Sequence, residues 1–120
     1  MRVALIEVGH WHARRHLRSL LSGGAEIVGV SDQQLGMAAA FAADSGWPSY
    51  CDYREMIRAT RPDFVLAMGR HADMPGIARY LIEAHIPFAI EKPVGTCADE
   101  VAPLVELAER HRVFAAVALT

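Results

Sequence analysis

Short apolar runs alternate with amphipathic stretches along the whole chain. The first run, Val3 to Ile6, is apolar at every position instead of every second one, as expected of a strand buried on both faces. The stretch that follows places Leu17, Leu20 and Leu21 on one face of a helix. Continued to the end of the sequence, the alternation predicts strands at residues 3–6, 26–30, 49–50, 64–68, 87–90 and 113–119.

Helix start and stop signals lie between the predicted strands. Gly23 and Gly24 end the first helix, Asp52 opens a capping box, and Pro75 follows the cap candidate Asp73. A last cap pattern begins at residue 96. Helices are therefore predicted at residues 14–21, at 37–43, from 52, from 73 to about 85, and from 96 to about 110.

Strands that are apolar throughout and separated by helices predict a parallel sheet covered on both faces. Six strand candidates and right-handed crossovers favour the doubly wound order 3-2-1-4-5-6. We therefore expect residues 1–120 to form one α/β domain of the Rossmann type. Ligands bind such sheets at the carboxyl ends of the strands, where the order reverses between the first and fourth.

The turn after the first strand resembles a dinucleotide fingerprint only in part. That fingerprint has three glycines, which allow a tight turn, close approach of a diphosphate, and helix packing. Here only the middle one, Gly9, is present, because Glu7 and His12 occupy the other two positions. The turn still lies between a strand and a helix, and its Val8, Gly9, His10 and Trp11 are predicted to bind the cofactor.

A carboxylate, Asp32, follows the second predicted strand. An acidic side chain at this point binds the adenosine ribose and repels a 2′-phosphate, so NAD is favoured over NADP. The alternative interpretation makes Asp32 an ordinary turn residue.

Composition narrows the class of protein. Hydrophobic residues make up 52% of the chain and the formal net charge is −2 with mixed signs, so nothing indicates nucleic-acid binding. The N-terminal apolar run is too short for a signal peptide, and no run reaches the length of a membrane span. Cys51 and Cys97 match no zinc or redox spacing. These features predict a cytoplasmic protein.

Three histidines surround Trp11 at the start of the first predicted helix. His12 and His16 are four residues apart and can share a helix face, while His10 lies in the preceding turn. The sequence shows no carboxylate or cysteine that completes a ligand set with them. The sequence therefore predicts no metal site.

Several segments resemble the Gfo/Idh/MocA family of oxidoreductases. They are the first strand with its glycine turn, Val30-Ser31-Asp32, the helix start at residues 52–56, Arg61-Pro62-Asp63, and Glu91-Lys92-Pro93. The resemblance covers the whole chain, and the last triplet is its most specific part. It implies an NAD(P)-dependent enzyme acting on a sugar, polyol or related carbonyl compound. It also implies that Lys92 is catalytic, beside the nicotinamide, with Glu91 in the cofactor site.

The resemblance further implies a second, substrate-binding domain, which we expect to be absent from these 120 residues. Binding of the small-molecule substrate is then expected only with that domain. Without it, the apolar strand at residues 113–119 would be an unprotected edge, so we expect a homo-oligomer formed through this strand.

The sequence departs from the family pattern after the first and fourth strands. Gly69 and Arg70 replace a more usual Thr-Pro pair and, together with His71, are expected to contact the cofactor, while Glu7 replaces the first glycine. An unpaired carboxylate beside a diphosphate would weaken binding more than about a hundredfold. We therefore predict an ion pair between Glu7 and Arg70. A non-catalytic Rossmann module with weakened dinucleotide binding is the alternative function.

Overall fold

The computed structural model describes residues 1–70, 72–91 and 98–118. Strands and helices alternate throughout these residues. The strands are β1 (Arg2–Ile6), β2 (Glu26–Ser31), β3 (Ser49–Tyr50), β4 (Phe64–Ala67), β5 (Phe88–Glu91) and β6 (Ala115–Ala118). The helices are α1 (Ala13–Ser22), α2 (Leu35–Ala42), α3 (Tyr53–Thr60), α4 (Met74–Glu83) and α5 (Ala98–His111).

All neighbouring strands are parallel, and their order is β3-β2-β1-β4-β5-β6. This order confirms the prediction of a doubly wound sheet. Helices α1 and α2 pack on one face, where Leu17 and Phe41 join one core cluster with Leu5 of β1. Helices α3, α4 and α5 pack on the other face, in a second cluster around Met56 and Phe88. The chain changes faces after β3, as right-handed crossovers require when the strand order reverses.

Of the two predicted N-terminal helix caps that lie in the described residues, Asp52 and Asp73, only Asp52 caps its helix. Asp52 accepts a hydrogen bond from the Arg54 amide at 2.9 Å and caps α3. Asp73 stands at the N-cap position of α4, but its side chain does not cap the helix, because it accepts from Gln33 Nε2 at 3.3 Å. The predicted cap at residue 96 lies outside the described residues.

The last two strands begin later than predicted. β6 starts at Ala115 instead of Val113, because the Val113 amide still donates to the Ala108 carbonyl at the end of α5. β5 runs to Glu91, so the Glu91 side chain belongs to the sheet and not to the loop that follows. In the described part of the chain, none of the helices is both long enough and apolar enough to cross a membrane.

Candidate functional site

The carboxyl ends of β1, β2 and β4 lie side by side at one edge of the sheet. Ile6 of β1 pairs with Ser31 of β2 and with Ala67 of β4. The loops after these strands enclose an open crevice of about 260 Å³. Its lining residues are Glu7, Gly9, His10, Asp32, Gln33, Gln34, Met37, Gly69 and Arg70. Gly9, His10, Asp32, Gly69 and Arg70, all predicted to bind the cofactor, thus lie in one crevice.

The turn after β1 places Glu7 in a conformation that glycine normally adopts. Its φ is 61°, in the left-handed region, where a side chain costs about 1–2 kcal/mol. The backbone is held there because the amides of Glu7 and Val8 both donate to the Ser31 carbonyl, at 2.7 and 3.1 Å. The turn therefore keeps the geometry of the glycine fingerprint although its first glycine is absent.

The Glu7 carboxyl faces the end of β2. Its Oε1 accepts a hydrogen bond from the Gln33 amide at 3.1 Å. Burial and, to a smaller extent, the nearby negative charge of Asp32 raise the pKa of Glu7 to about 7, while the hydrogen bond from the Gln33 amide lowers it by less. Near neutral pH a large fraction of this carboxyl is therefore protonated and carries no charge.

The predicted ion pair between Glu7 and Arg70 is wrong. Among the described residues, no ion pair joins Glu7 to Arg70. The Glu7 carboxyl is hydrogen-bonded to the Gln33 amide, whereas the Arg70 side chain is exposed. Among the charges that shift the pKa of Glu7, that of Arg70 has the smallest effect. Burial, not a salt bridge, thus reduces the charge on Glu7.

Gly9 and Asp32 are joined directly across the crevice. The Gly9 amide donates to Asp32 Oδ2 at 2.9 Å, and the Gln34 amide donates to Oδ1 at 2.9 Å. A Cβ atom added to Gly9 would lie 2.8 Å from Asp32 Oδ2, so any larger residue would displace the Asp32 carboxylate. Asp32 therefore orders the loop, as the alternative interpretation expected, and lines the crevice, as the cofactor interpretation requires.

The other residues of the turn face different surroundings. Val8 is buried in the core between the sheet and α1. His10 lines the crevice, and its Nδ1 accepts a hydrogen bond from the His12 amide at 3.0 Å. Trp11 is 81% exposed, and its ring lies against His12 with a centroid distance of 3.9 Å. Backbone atoms of the turn thus face the crevice, while the Trp11 ring lies on the surface.

Glu91 lies at the end of β5 and is almost completely buried, with 2% exposure. Its Oε1 lies 3.1 Å from His12 Nδ1, and its Oε2 lies 2.6 Å from His16 Nε2. Burial alone would raise the pKa of Glu91, but the hydrogen bonds with the two histidines outweigh it and hold that pKa below its usual value. Both carboxylate oxygens are thus occupied, one by the N-cap residue of α1, His12, and the other by His16 within the helix.

This cluster was missed by the sequence analysis. His12 and His16 were recognised as sharing a helix face, but their carboxylate comes from more than seventy residues further along the chain. The sequence did contain a signal for this contact. Because Phe88 and Ile90 of β5 face the core formed with α3, α4 and α5, Glu91 must face the opposite side of the sheet, where α1 lies. The predicted site residues Lys92 and His71 lie outside the described residues.

A doubly wound sheet with a glycine turn and a carboxylate in the crevice at its reversal point defines a dinucleotide-binding Rossmann domain. The model of the oxidoreductase family with an NAD-binding Rossmann fold, GFO_IDH_MocA, matches residues 1–119. The chain therefore belongs to the Gfo/Idh/MocA family. A comparison with curated proteins finds no significant match to this sequence.

Many solved dehydrogenases share the fold. A WlbA dehydrogenase from Chromobacterium violaceum, in complex with NADH and UDP-GlcNAcA, superposes with a TM-score of 0.90 at 22% identity, over 98% of this chain and 34% of that one. A myo-inositol 2-dehydrogenase from Lactobacillus plantarum superposes with a TM-score of 0.87 at 21% identity, over 98% of this chain and 36% of that one. UDP-N-acetylglucosamine 3-dehydrogenase GnnA from Acidithiobacillus ferrooxidans superposes with a TM-score of 0.85 at 24% identity, over 98% of this chain and 36% of that one. The chain thus spans about a third of the length of these proteins.

Proposed function

We propose that this chain binds NAD in the crevice between β1, β2 and β4 and is the cofactor domain of an oxidoreductase that acts on a sugar, a polyol or a related carbonyl compound. The hydrogen bond between Gly9 and Asp32 carries the proposal, because it fixes the diphosphate turn and the ribose carboxylate in one crevice. The solved proteins that share the fold include dehydrogenases of inositol and of a nucleotide sugar, which supports the substrate class.

The residues of the crevice fit a dinucleotide. No side chain caps α1, and the helix begins at Ala13, four residues after Gly9, which leaves room for a diphosphate at the positive end of the helix. Asp32 accepts one hydrogen bond on each oxygen, so each keeps a second lone pair for a ribose hydroxyl. Its negative charge disfavours the 2′-phosphate of NADP.

When bound, the nicotinamide ring supplies the hydride acceptor or donor. The chain's own contribution to the chemistry is assigned to Lys92, which directly follows the buried Glu91 at the end of β5. Its ammonium group would stabilise a developing alkoxide on the substrate and pass a proton to it. Recognition of the substrate itself belongs to the part of the relatives that this chain does not span.

A second candidate function follows from Glu7. Its carboxylate stands where the fingerprint has glycine, and an ionised carboxylate beside a diphosphate opposes binding. A non-catalytic domain with weak dinucleotide affinity would carry such a residue without penalty. The raised pKa of Glu7 favours the first candidate, because the protonated carboxyl does not repel the cofactor.

Titration with NADH, followed by the fluorescence of the reduced nicotinamide, tests the proposal. Saturable binding is expected, with NADH bound more tightly than NADPH. Asp32→Ala should weaken NADH binding by roughly 10- to 100-fold, since each hydrogen bond to a charged group contributes about 1.5–3 kcal/mol. Asp32→Asn should reduce the preference for NADH over NADPH.

The matched control is Asp44→Ala, which removes an equal charge from an exposed turn after α2 and should leave binding unchanged. Because the Asp32 carboxylate also holds two backbone amides, circular dichroism must show that the Asp32 variants stay folded. No saturable binding of either cofactor to the wild-type chain would favour the non-catalytic domain.

Self-association through β6 and a cytoplasmic location stay predictions. β6 is an edge strand of the described sheet, and Phe114 and Val117 are 63% and 45% exposed. Sedimentation should therefore show a dimer or larger species that Val117→Lys dissociates. Leu21→Lys, at an equally exposed apolar position on α1, is the control and should not dissociate it. A wild-type monomer at high concentration would contradict the prediction.

A further inference from the structure

Three histidines and one buried carboxylate converge beside the crevice. His12 and His16 lie at the start of α1, His10 precedes them in the turn, and Glu91 reaches them from β5. Ligand atoms of His10, His12 and Glu91 all lie within 4.8 Å of one another. In the described part of the chain, this is the one group of three such residues close enough to surround a metal ion. The carboxylate that the sequence analysis found missing is thus supplied by the fold.

The spacing of these atoms suits a small ion. Two ligands about 2.0–2.2 Å from a tetrahedral ion lie roughly 3.4 Å apart, and His12 Nδ1 and Glu91 Oε1 are already 3.1 Å apart. The ion would take the place of the hydrogen between these two atoms, and a ring nitrogen of His10 lies within 4.8 Å of the ligand atoms of His12 and Glu91. The other Glu91 oxygen stays hydrogen-bonded to His16 Nε2, which orients the carboxylate.

The chemistry of the set selects the ion. Imidazole nitrogens suit zinc, copper, iron and nickel, whereas Mg²⁺ and Ca²⁺ require oxygen ligands. Two histidines and one glutamate form a known three-ligand set for zinc that leaves a coordination position open. Burial adds to the selection, because a 2%-exposed carboxylate between two side chains of 13% exposure favours a cation in contact with it.

We propose that His10, His12 and Glu91 form a binding site for a divalent transition-metal ion, with Zn²⁺ as the matching ion and His16 as the residue that positions Glu91. His10 lines both the cluster and the crevice, so the ion lies at the crevice edge. Its open position can accept water or an oxygen atom of a small hydroxylated molecule. The proposal does not depend on dinucleotide binding, since the cluster uses neither Gly9 nor Asp32.

Calorimetric titration of the metal-free 120-residue chain with Zn²⁺, and Co²⁺ titration followed by visible absorption, test this site. One ion per chain is expected, with d–d bands typical of a low-coordinate cobalt centre. His10→Ala and His12→Ala should each weaken Zn²⁺ binding by roughly a hundredfold or more, and His16→Ala by roughly 10- to 100-fold. His10→Ala leaves the hydrogen bonds of Glu91 intact, so it remains informative even where His12→Ala does not fold.

The matched control removes the other histidine pair. His111 Nδ1 lies 3.5 Å from His85 Nε2, near the ends of α5 and α4. The double variant His85→Ala/His111→Ala should bind Zn²⁺ as the wild type does. Loss of binding in this variant instead of in His10→Ala would overturn the proposal. So would the absence of saturable Zn²⁺ or Co²⁺ binding to the folded wild-type chain. NADH binding with no metal binding would refute this site alone.

Discussion

Replacing Glu7 with glycine is expected to tighten NADH binding by roughly 10- to 100-fold at about pH 8. At that pH most of the carboxyl is ionised, because its pKa is about 7. Two unit charges about 5 Å apart at an effective dielectric constant near 20 repel each other by roughly 3 kcal/mol, and solvent in the open crevice reduces that figure. Glycine removes the charge and suits the left-handed backbone at this position.

The pH dependence provides a sharper form of the same test. As the pH falls through about 7, Glu7 becomes protonated, so wild-type affinity for NADH should rise. The affinity of Glu7→Gly should stay nearly constant over this range, and the two proteins should converge at about pH 5.5. The stability of the folded state should also rise as the pH falls. Because the folded-state pKa lies above the ordinary value of 4.5, the stability from this group is present at low pH and is lost as the pH rises through about 7.

Glu7→Gln separates the effect of charge from that of backbone strain. It removes the negative charge but keeps a side chain at φ 61°, so it should match Glu7→Gly in affinity. Only the glycine variant should also relieve the left-handed strain of about 1–2 kcal/mol, partly offset by the greater freedom of glycine in the unfolded chain. Equal NADH affinity of all three proteins at about pH 8 would show that the diphosphate does not lie beside Glu7.

The architecture could be predicted because it depends on patterns that are local in the sequence. Runs such as Val3 to Ile6 are apolar throughout because the strand is covered on both faces, and this property identifies a parallel sheet. Handedness then leaves few strand orders, so the end of β1 could be placed beside those of β2 and β4. The neighbourhood of Gly9 and Asp32 follows from that order alone.

Side-chain partners within the site could not be predicted in the same way. Glu7 and Arg70 follow neighbouring strands and have opposite charges, yet Glu7 accepts a hydrogen bond from the Gln33 amide and the Arg70 side chain is exposed. Proximity of two strand ends fixes Cα positions to within several ångströms, whereas an ion pair requires both rotamers to converge. Exposed pairs gain too little, about 0–1 kcal/mol, to enforce that convergence.

Removal of the Glu91 carboxylate is expected to give the largest loss of stability in the crevice region. Glu91→Ala should lower the free energy of unfolding by about 2–4 kcal/mol, because it leaves a cavity and two poorly exposed histidine rings without their hydrogen-bond partner. Glu91→Gln keeps the shape and one acceptor oxygen, and we expect a smaller loss of about 1–2 kcal/mol.

Urea denaturation followed by circular dichroism measures both losses, with a chelator present so that metal binding does not contribute. Glu106→Ala, at an exposed position of α5, is the matched control and should change the free energy of unfolding by less than about 0.5 kcal/mol. The order of the three losses in free energy of unfolding is the decisive result. If Glu91 were a surface carboxylate, Glu91→Ala and Glu106→Ala would lose equal amounts. A wild-type denaturation midpoint for Glu91→Ala would contradict the buried contact of Glu91 with His12 and His16.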